Sequence, residues 1–254
     1  MPALGSPNTG PAVKWYGKPV PLRAILFDAG NTLVRIDYTA IATALAAHGV
    51  AATPEALMRA EWRARVRLDD DVFARRELAS TEARATHQRY LAYVLEGIGV
   101  TDPALVDAMD AWRGGHNQPL GLWTAPEPHA APALRLARTA GLRTGVISNS
   151  NGRIKQILAQ LELLPLLDFA LDSQEEGVEK PEPEIFARAL ARVGVAAEDA
   201  AYVGDLYSID VLGARRAGMD SALVLSGGTT RAQADAADPK PTLVAESLAA
   251  LVLQ

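Results

Sequence analysis

The chain has 254 residues, of which 49% are hydrophobic and 22% charged, and its formal net charge is −5. That balance is enough for a sizeable buried core, and its sign gives no electrostatic reason to expect nucleic acid or an anionic membrane as a partner. The absence of cysteine excludes disulfides, thiolate catalysis and cysteine-ligated zinc and fits a cytoplasmic location, while no apolar run approaches the roughly 20 residues that span a bilayer.

Residues 1–22 interleave Pro2, Pro7, Pro11, Pro19 and Pro21 with Gly5, Gly10 and Gly17, and hold no continuous apolar run. They read as a flexible leader and not as a signal peptide. The apolar run Ala24-Ile25-Leu26-Phe27 predicts a buried strand. Asp28-Ala29-Gly30-Asn31-Thr32-Leu33 then sets a carboxylate and a turn at its carboxyl end, the edge where open α/β sheets place their chemistry.

From Ile41 to about Trp123 the texture is helical. An alanine-rich helix ends at His48-Gly49. Thr53-Pro54-Glu55 supplies an N-cap and a proline at the first helical position, followed by Leu57, Met58, Trp62, Val66 and Leu68 at helical spacing. Ser80-Thr81-Glu82-Ala83 opens a third helix whose stripe holds His87, Tyr90, Leu91, Val94 and Leu95. Asp102-Pro103 opens a fourth through Leu105, Met109 and Trp112 to Gly114-Gly115. Trp62, Trp112, Met58 and Met109 are expected in the core of this four-helix, bundle-like segment.

After Pro126 helices and strands alternate. Strands are expected over Gly141–Ser148, Phe169–Leu171, Ala201–Gly204 and Ser221–Leu225, with helices between them. This pattern predicts an α/β fold with a parallel sheet covered on both faces, to which the Asp28 strand also belongs. The expected organisation is a core of residues 23–36 and 126–254, interrupted by an all-helical insertion over 37–125.

Parallel strands bring their polar carboxyl ends into one crevice: Asp28, Ser148-Asn149, the Glu175–Pro181 stretch with Lys180, and Gly204-Asp205 followed by Asp210. Clustered carboxylates suit Mg2+, a hard ion that takes oxygen ligands. A lysine among them offsets the negative charge and keeps one carboxylate ionised as a nucleophile. Hydroxyl and backbone N–H groups suit the equatorial oxygens of a transferred phosphoryl group. Glu175, Glu176 and Glu179 are expected on a solvated surface.

These patches, in this order and with this helical interruption, resemble the haloacid dehalogenase-like hydrolases over about residues 23–226. The resemblance implies a Rossmann-like core and a C1-type helical cap. It assigns Asp28 as nucleophile with Lys180 beside it, and Thr32, Ser148 and Asn149 on the substrate. Asp28, the Gly30 carbonyl, Asp205 and Asp210 hold Mg2+, and the substrate is a small phosphorylated metabolite. The chain departs from the family at position 30, where its phosphatases carry a second aspartate that acts as general acid and base; the Asp-Ala-x-x-Thr-Leu form resembles a subgroup lacking that residue. His48, His87 and His116 are available substitutes, with His116 preferred. The alternatives are a 2-haloacid dehalogenase-type hydrolase, whose leaving group needs no acid, and a catalytically weak binding protein.

Overall fold

The computed structural model describes residues 22–74, 80–116 and 119–252. The expected leader lies outside them, except for Leu22, which is buried. The chain runs through β1 (Ala24–Phe27), β2 (Val34–Arg35), α1 (Tyr38–Ala47), α2 (Pro54–Leu68), α3 (Arg84–Glu96), α4 (Pro103–His116), β3 (Ala125–Pro126), α5 (Ala130–Thr139) and β4 (Arg143–Ser148). It continues through α6 (Ile154–Gln160), β5 (Phe169–Asp172), α7 (Ser173–Glu176), α8 (Pro183–Val193), β6 (Ala200–Gly204) and α9 (Leu212–Arg216). The last elements are β7 (Asp220–Val224), α10 (Arg231–Ala236), β8 (Leu243–Ala245) and α11 (Leu248–Val252).

Six strands form one sheet in the order β5-β4-β1-β6-β7-β8, with every pairing parallel. The sheet is Rossmann-like, as expected. Side chains of a strand alternate between faces, and both faces here are covered. Ile25 and Phe27 enter one apolar cluster with Leu134, Val146 and Leu158, whereas Ala24 and Leu26 enter another with Ile185, Phe186 and Tyr202. That double burial is why β1 reads as a continuous apolar run. It also makes β1 central, with Asp28 leaving its end between β4 and β6.

The four expected helices are present between β2 and β3, which pair antiparallel as a short ribbon where the chain leaves the sheet and returns. They share a cluster of their own that includes Tyr38, Ile41, Leu45, Leu57, Leu95 and Met109. Thr53 caps α2 through Ala56 N. Helix α3 starts at Arg84, later than its sequence suggests, because the Ser80 and Thr81 hydroxyls donate to Glu179 across the chain (3.1 and 3.2 Å). Glu179 is therefore a partner of the helical segment and not a solvated charge. Two π-helical turns escaped the sequence reading: Asp69–Phe73, which extends α2, and Tyr207–Val211, which precedes α9. They meet where the Ser208 amide donates to Asp69 Oδ2 at 3.1 Å.

Candidate active site

Four strand ends and the loops after them converge on Asp28. Lys180 is 2% exposed, and its Nζ donates to Asp28 Oδ1 (2.6 Å), Asp210 Oδ1 (2.8 Å) and the Tyr202 hydroxyl (2.8 Å). Tyr202 in turn donates to the Ile147 carbonyl at 3.0 Å, which fixes the acceptor it offers the lysine. Burial disfavours the ammonium, yet Asp210 and Asp28 hold the Lys180 pKa above the ordinary lysine value, so it stays charged. Asp28 is pushed above the ordinary carboxylate value, mainly by burial; Lys180 opposes that shift and Asp210 adds to it.

Asp210 reaches this point because Gly204 ends β6. A Cβ on Gly204 would lie 2.4 Å from the Asp210 carboxyl carbon, so only glycine lets the acid fold back against the strand end. There Asp210 Oδ2 accepts from the amides of Asp205 and Leu206 at 3.2 and 3.0 Å. Asp205 is fully buried and held from the far side by Arg65 of α2, whose Nε and terminal nitrogen donate to its two oxygens at 3.1 and 2.9 Å. Burial raises the Asp205 pKa well above the usual range; Arg65 opposes this, and Asp28 and Asp210 reinforce it.

One oxygen from each of Asp28, Asp205 and Asp210 falls in a group whose members all lie within 4.8 Å of one another. Glu61 of α2 is also buried, so four carboxylates face the two cations Lys180 and Arg65. An excess of two negative charges on hard oxygen donors matches a divalent cation such as Mg2+. The raised pKa values of Asp28 and Asp205 come first from burial, and their carboxylate neighbours add to it.

A cavity of about 240 Å³ lies over this cluster, lined on the sheet side by Asp28, Gly30, Ser148, Asn149, Lys180 and Asp210. Arg65, His87, Tyr90, Arg113 and Trp123 line it from the helical segment and its return. Three of the expected residues have further structural roles or lie away from the cavity. Thr32 does not line the cavity: the turn after β1, with Leu33 N and Val34 N both donating to Ala29 O, folds it underneath, and its fully buried hydroxyl has no hydrogen-bond partner among the described residues. Asn149 accepts from Lys180 N (2.8 Å) and donates to Lys180 O (2.9 Å), so its amide anchors the lysine loop. His116 is exposed, stacks on Trp112 at 4.8 Å and does not reach the cavity; His87 does.

The sequence reading passed over Glu61, Arg65 and Asp69. They recur every four residues, a polar stripe beside the buried Leu57, Ala60, Ala64 and Leu68, and that spacing was the available signal. Glu61 accepts from Asn31 Nδ2 (3.2 Å), the Tyr38 hydroxyl (3.0 Å) and the Tyr90 hydroxyl (2.6 Å). Asn31, at a positive φ of 53°, belongs to the turn that follows Asp28. The stripe thus ties α2 to that turn, to Asp205 and to the Ser208 amide.

Burial lifts the Asp69 pKa to about 7 against the opposing hydrogen bond from Ser208. The unfolded group titrates near ~4. Between those values the folded state binds more protons, so this residue's contribution to stability falls as pH rises from about 4 through 7. Asp69→Asn is expected to raise the melting temperature at pH 8 by about 5 °C, with the gain fading towards pH 4. Thermal melts across that range check it; no gain at pH 8 would mean that the ionised carboxylate is compensated in place.

The family described as haloacid dehalogenase-like hydrolase matches residues 22–218. The human haloacid dehalogenase-like hydrolase domain-containing protein 3 is 34% identical over 211 residues, covering 80% of this chain and 82% of that protein. A glyceraldehyde 3-phosphate phosphatase of Methanopyrus kandleri is 30% identical over 209 residues, covering 81% and 85%. Among solved structures, the 2-haloacid dehalogenase of Pseudomonas syringae pv. Tomato DC3000 aligns with a TM-score of 0.53 at 28% identity, over 91% of this chain and 98% of that one.

Proposed function

The chain belongs to the haloacid dehalogenase-like hydrolases, and from that premise we propose that it is a Mg2+-dependent phosphatase of a small phosphorylated metabolite, working through an aspartyl-phosphate at Asp28. The observation that carries this reading is the buried grouping of Asp28, Asp205 and Asp210 with Lys180 on the nucleophile. Residues 37–125 act as a C1-type cap over the core of 23–36 and 126–254, and the chain falls in the subgroup lacking the second aspartate. The cysteine-free composition fits a reducing cytoplasm. Among the described residues, no helix is long and apolar enough to cross a membrane.

Lys180 engages Asp28 Oδ1, which leaves Oδ2 as the attacking oxygen. Attack on phosphorus forms the Asp28–phosphoryl bond as the bond to the leaving oxygen breaks. Water then attacks phosphorus, inorganic phosphate departs and the carboxylate is restored. Asp28, the Gly30 carbonyl, Asp205 and Asp210 are the residues that would hold Mg2+, with Asp205 shared with Arg65. Bound there, the ion would draw charge from the phosphoryl oxygens. Ser148, at the end of β4 and on the cavity wall, is positioned to donate to one of them.

Similarity to a dehalogenase together with the missing acid at Gly30 favours a second reading, release of halide from a 2-haloacid. A panel of phosphate esters and 2-haloacids, assayed with and without Mg2+, separates the two. Phosphate release that requires Mg2+ is expected. Halide release without metal would support the dehalogenase, and turnover of neither class would leave a binding protein.

A further inference from the structure

Position 30 is not an empty place left by a lost acid. A Cβ built on Gly30 would lie 3.2 and 3.3 Å from two carbons of the Trp123 six-membered ring, with a third at 3.7 Å. A side chain at position 30 therefore fits only if the ring gives by a few tenths of an ångström. Trp123 is held where it stands, because it precedes β3 on the return to the sheet and packs on both the sheet core and the helical core. The Arg65 guanidinium, itself fixed on Asp205, lies 5.6 Å from its ring centroid. The cavity wall around it is apolar, formed by Val34, Ile36, Leu120 and Leu122. Arg65 is the ionisable group beside the ring, and Glu82, His87, Tyr90 and Arg113, on and around α3 and α4, line the same cavity. Tyr90 among them already donates its proton to Glu61 at 2.6 Å, and burial pushes its pKa well above the ordinary value.

We propose that Trp123 takes the place of the general acid, and that the substrates are aryl or acyl phosphates whose leaving oxygen departs as a phenolate or carboxylate without being protonated. This rests on the reading of Asp28 as the phosphoryl acceptor. Asp28 Oδ2 forms the new bond to phosphorus, and the electron pair of the breaking P–O bond stays on the leaving oxygen, which carries no proton away. In the second step water adds to phosphorus, the Asp28–phosphorus bond breaks, and the water's protons leave with inorganic phosphate and solvent. The apolar body of the leaving group lies against the indole, an aromatic face that favours an aromatic ring. Alkyl phosphates, whose alkoxides are poor leaving groups, turn over slowly for want of an acid worth about 10²–10⁴-fold.

The test is the dependence of kcat/KM on leaving-group pKa for a series of para-substituted phenyl phosphates. Wild-type enzyme is expected to lose close to tenfold per unit rise in that pKa, the behaviour of a leaving oxygen carrying nearly full charge. A change of less than about twofold per unit would overturn the proposal and show that a cavity group such as His87 delivers a proton. Gly30→Asp combined with Trp123→Ala should flatten the dependence, whereas Gly30→Asp alone should leave it steep. Flattening by Gly30→Asp alone would show that the indole does not fill that volume, and would also overturn the proposal. The wild-type slope decides the matter even where a variant fails to fold. Absence of Asp28-dependent turnover on every ester would instead sink the phosphatase reading itself.

Discussion

Lys180→Met is expected to lower turnover by about 10³-fold and the melting temperature by about 10 °C. Lys180 is the cation that touches both Asp28 and Asp210, and all three are buried. Methionine retains most of the volume but leaves two buried carboxylates without their partner, and breaking such a pairing costs about 3–5 kcal/mol. The sign with pH follows from linkage. Without the ammonium Asp28 has a folded pKa raised further above its unfolded one, so the deficit is largest at neutral pH and shrinks as pH falls towards the unfolded carboxylate range. Mg2+ should restore part of the lost melting temperature, because the site then has a greater excess of negative charge to neutralise. Calorimetric melts at pH 5 and pH 7.5, with and without Mg2+, check this; a variant as stable as wild type at neutral pH would show that solvent reaches the cluster and screens it.

Asp28→Asn is expected to remove at least about 10⁴-fold of turnover on any substrate while leaving the fold intact. The amide cannot act as the attacking oxyanion. Its stability effect should be small, within about 3 °C, because burial already disfavours the Asp28 charge and Lys180 keeps Asp210 and Tyr202. The contrast between the two variants is diagnostic: one loses chemistry and stability together, the other chemistry alone. The bond that water attacks can be read on the wild-type protein. After a single turnover in ¹⁸O-labelled water, attack at phosphorus leaves the Asp28 peptide unlabelled and the label in phosphate. A haloacid ester, hydrolysed at its carbonyl carbon, would put label into the Asp28 side chain. Peptide mass spectrometry distinguishes them, and label in Asp28 after phosphate-ester turnover would be incompatible with an aspartyl-phosphate intermediate.

The sheet was legible because its signals are local. A strand buried on both faces must be apolar throughout, so Ala24–Phe27 announced itself, and parallel topology then forced Asp28, Ser148, Lys180, Asp205 and Asp210 to one edge. Thr53 and Pro54 marked the start of α2 because capping involves only neighbours in the chain. Legibility ended where a polar side chain found a distant partner. Ser80 read as a helix start, yet its hydroxyl reaches Glu179; Asn149 lines the cavity, but that its amide also closes on Lys180 was not legible. The position of Thr32 was not legible for a different reason, since a turn that doubles back on Ala29 decides which of its side chains faces a cavity.

The sequence by itself determined a parallel α/β core with a helical interruption, and the identity of the carboxylates and the lysine at its carboxyl edge. Spacing along strands and helices carries that much, because hydrophobic burial imposes period and order. Only the tertiary structure decided that Arg65 clamps Asp205, that Glu61 ties α2 to the turn after Asp28, and that the Trp123 ring lies against Gly30. These contacts join residues 30 to 140 positions apart in the chain. No local preference encodes them; they exist because α2 and the β3 return are packed onto the same sheet edge.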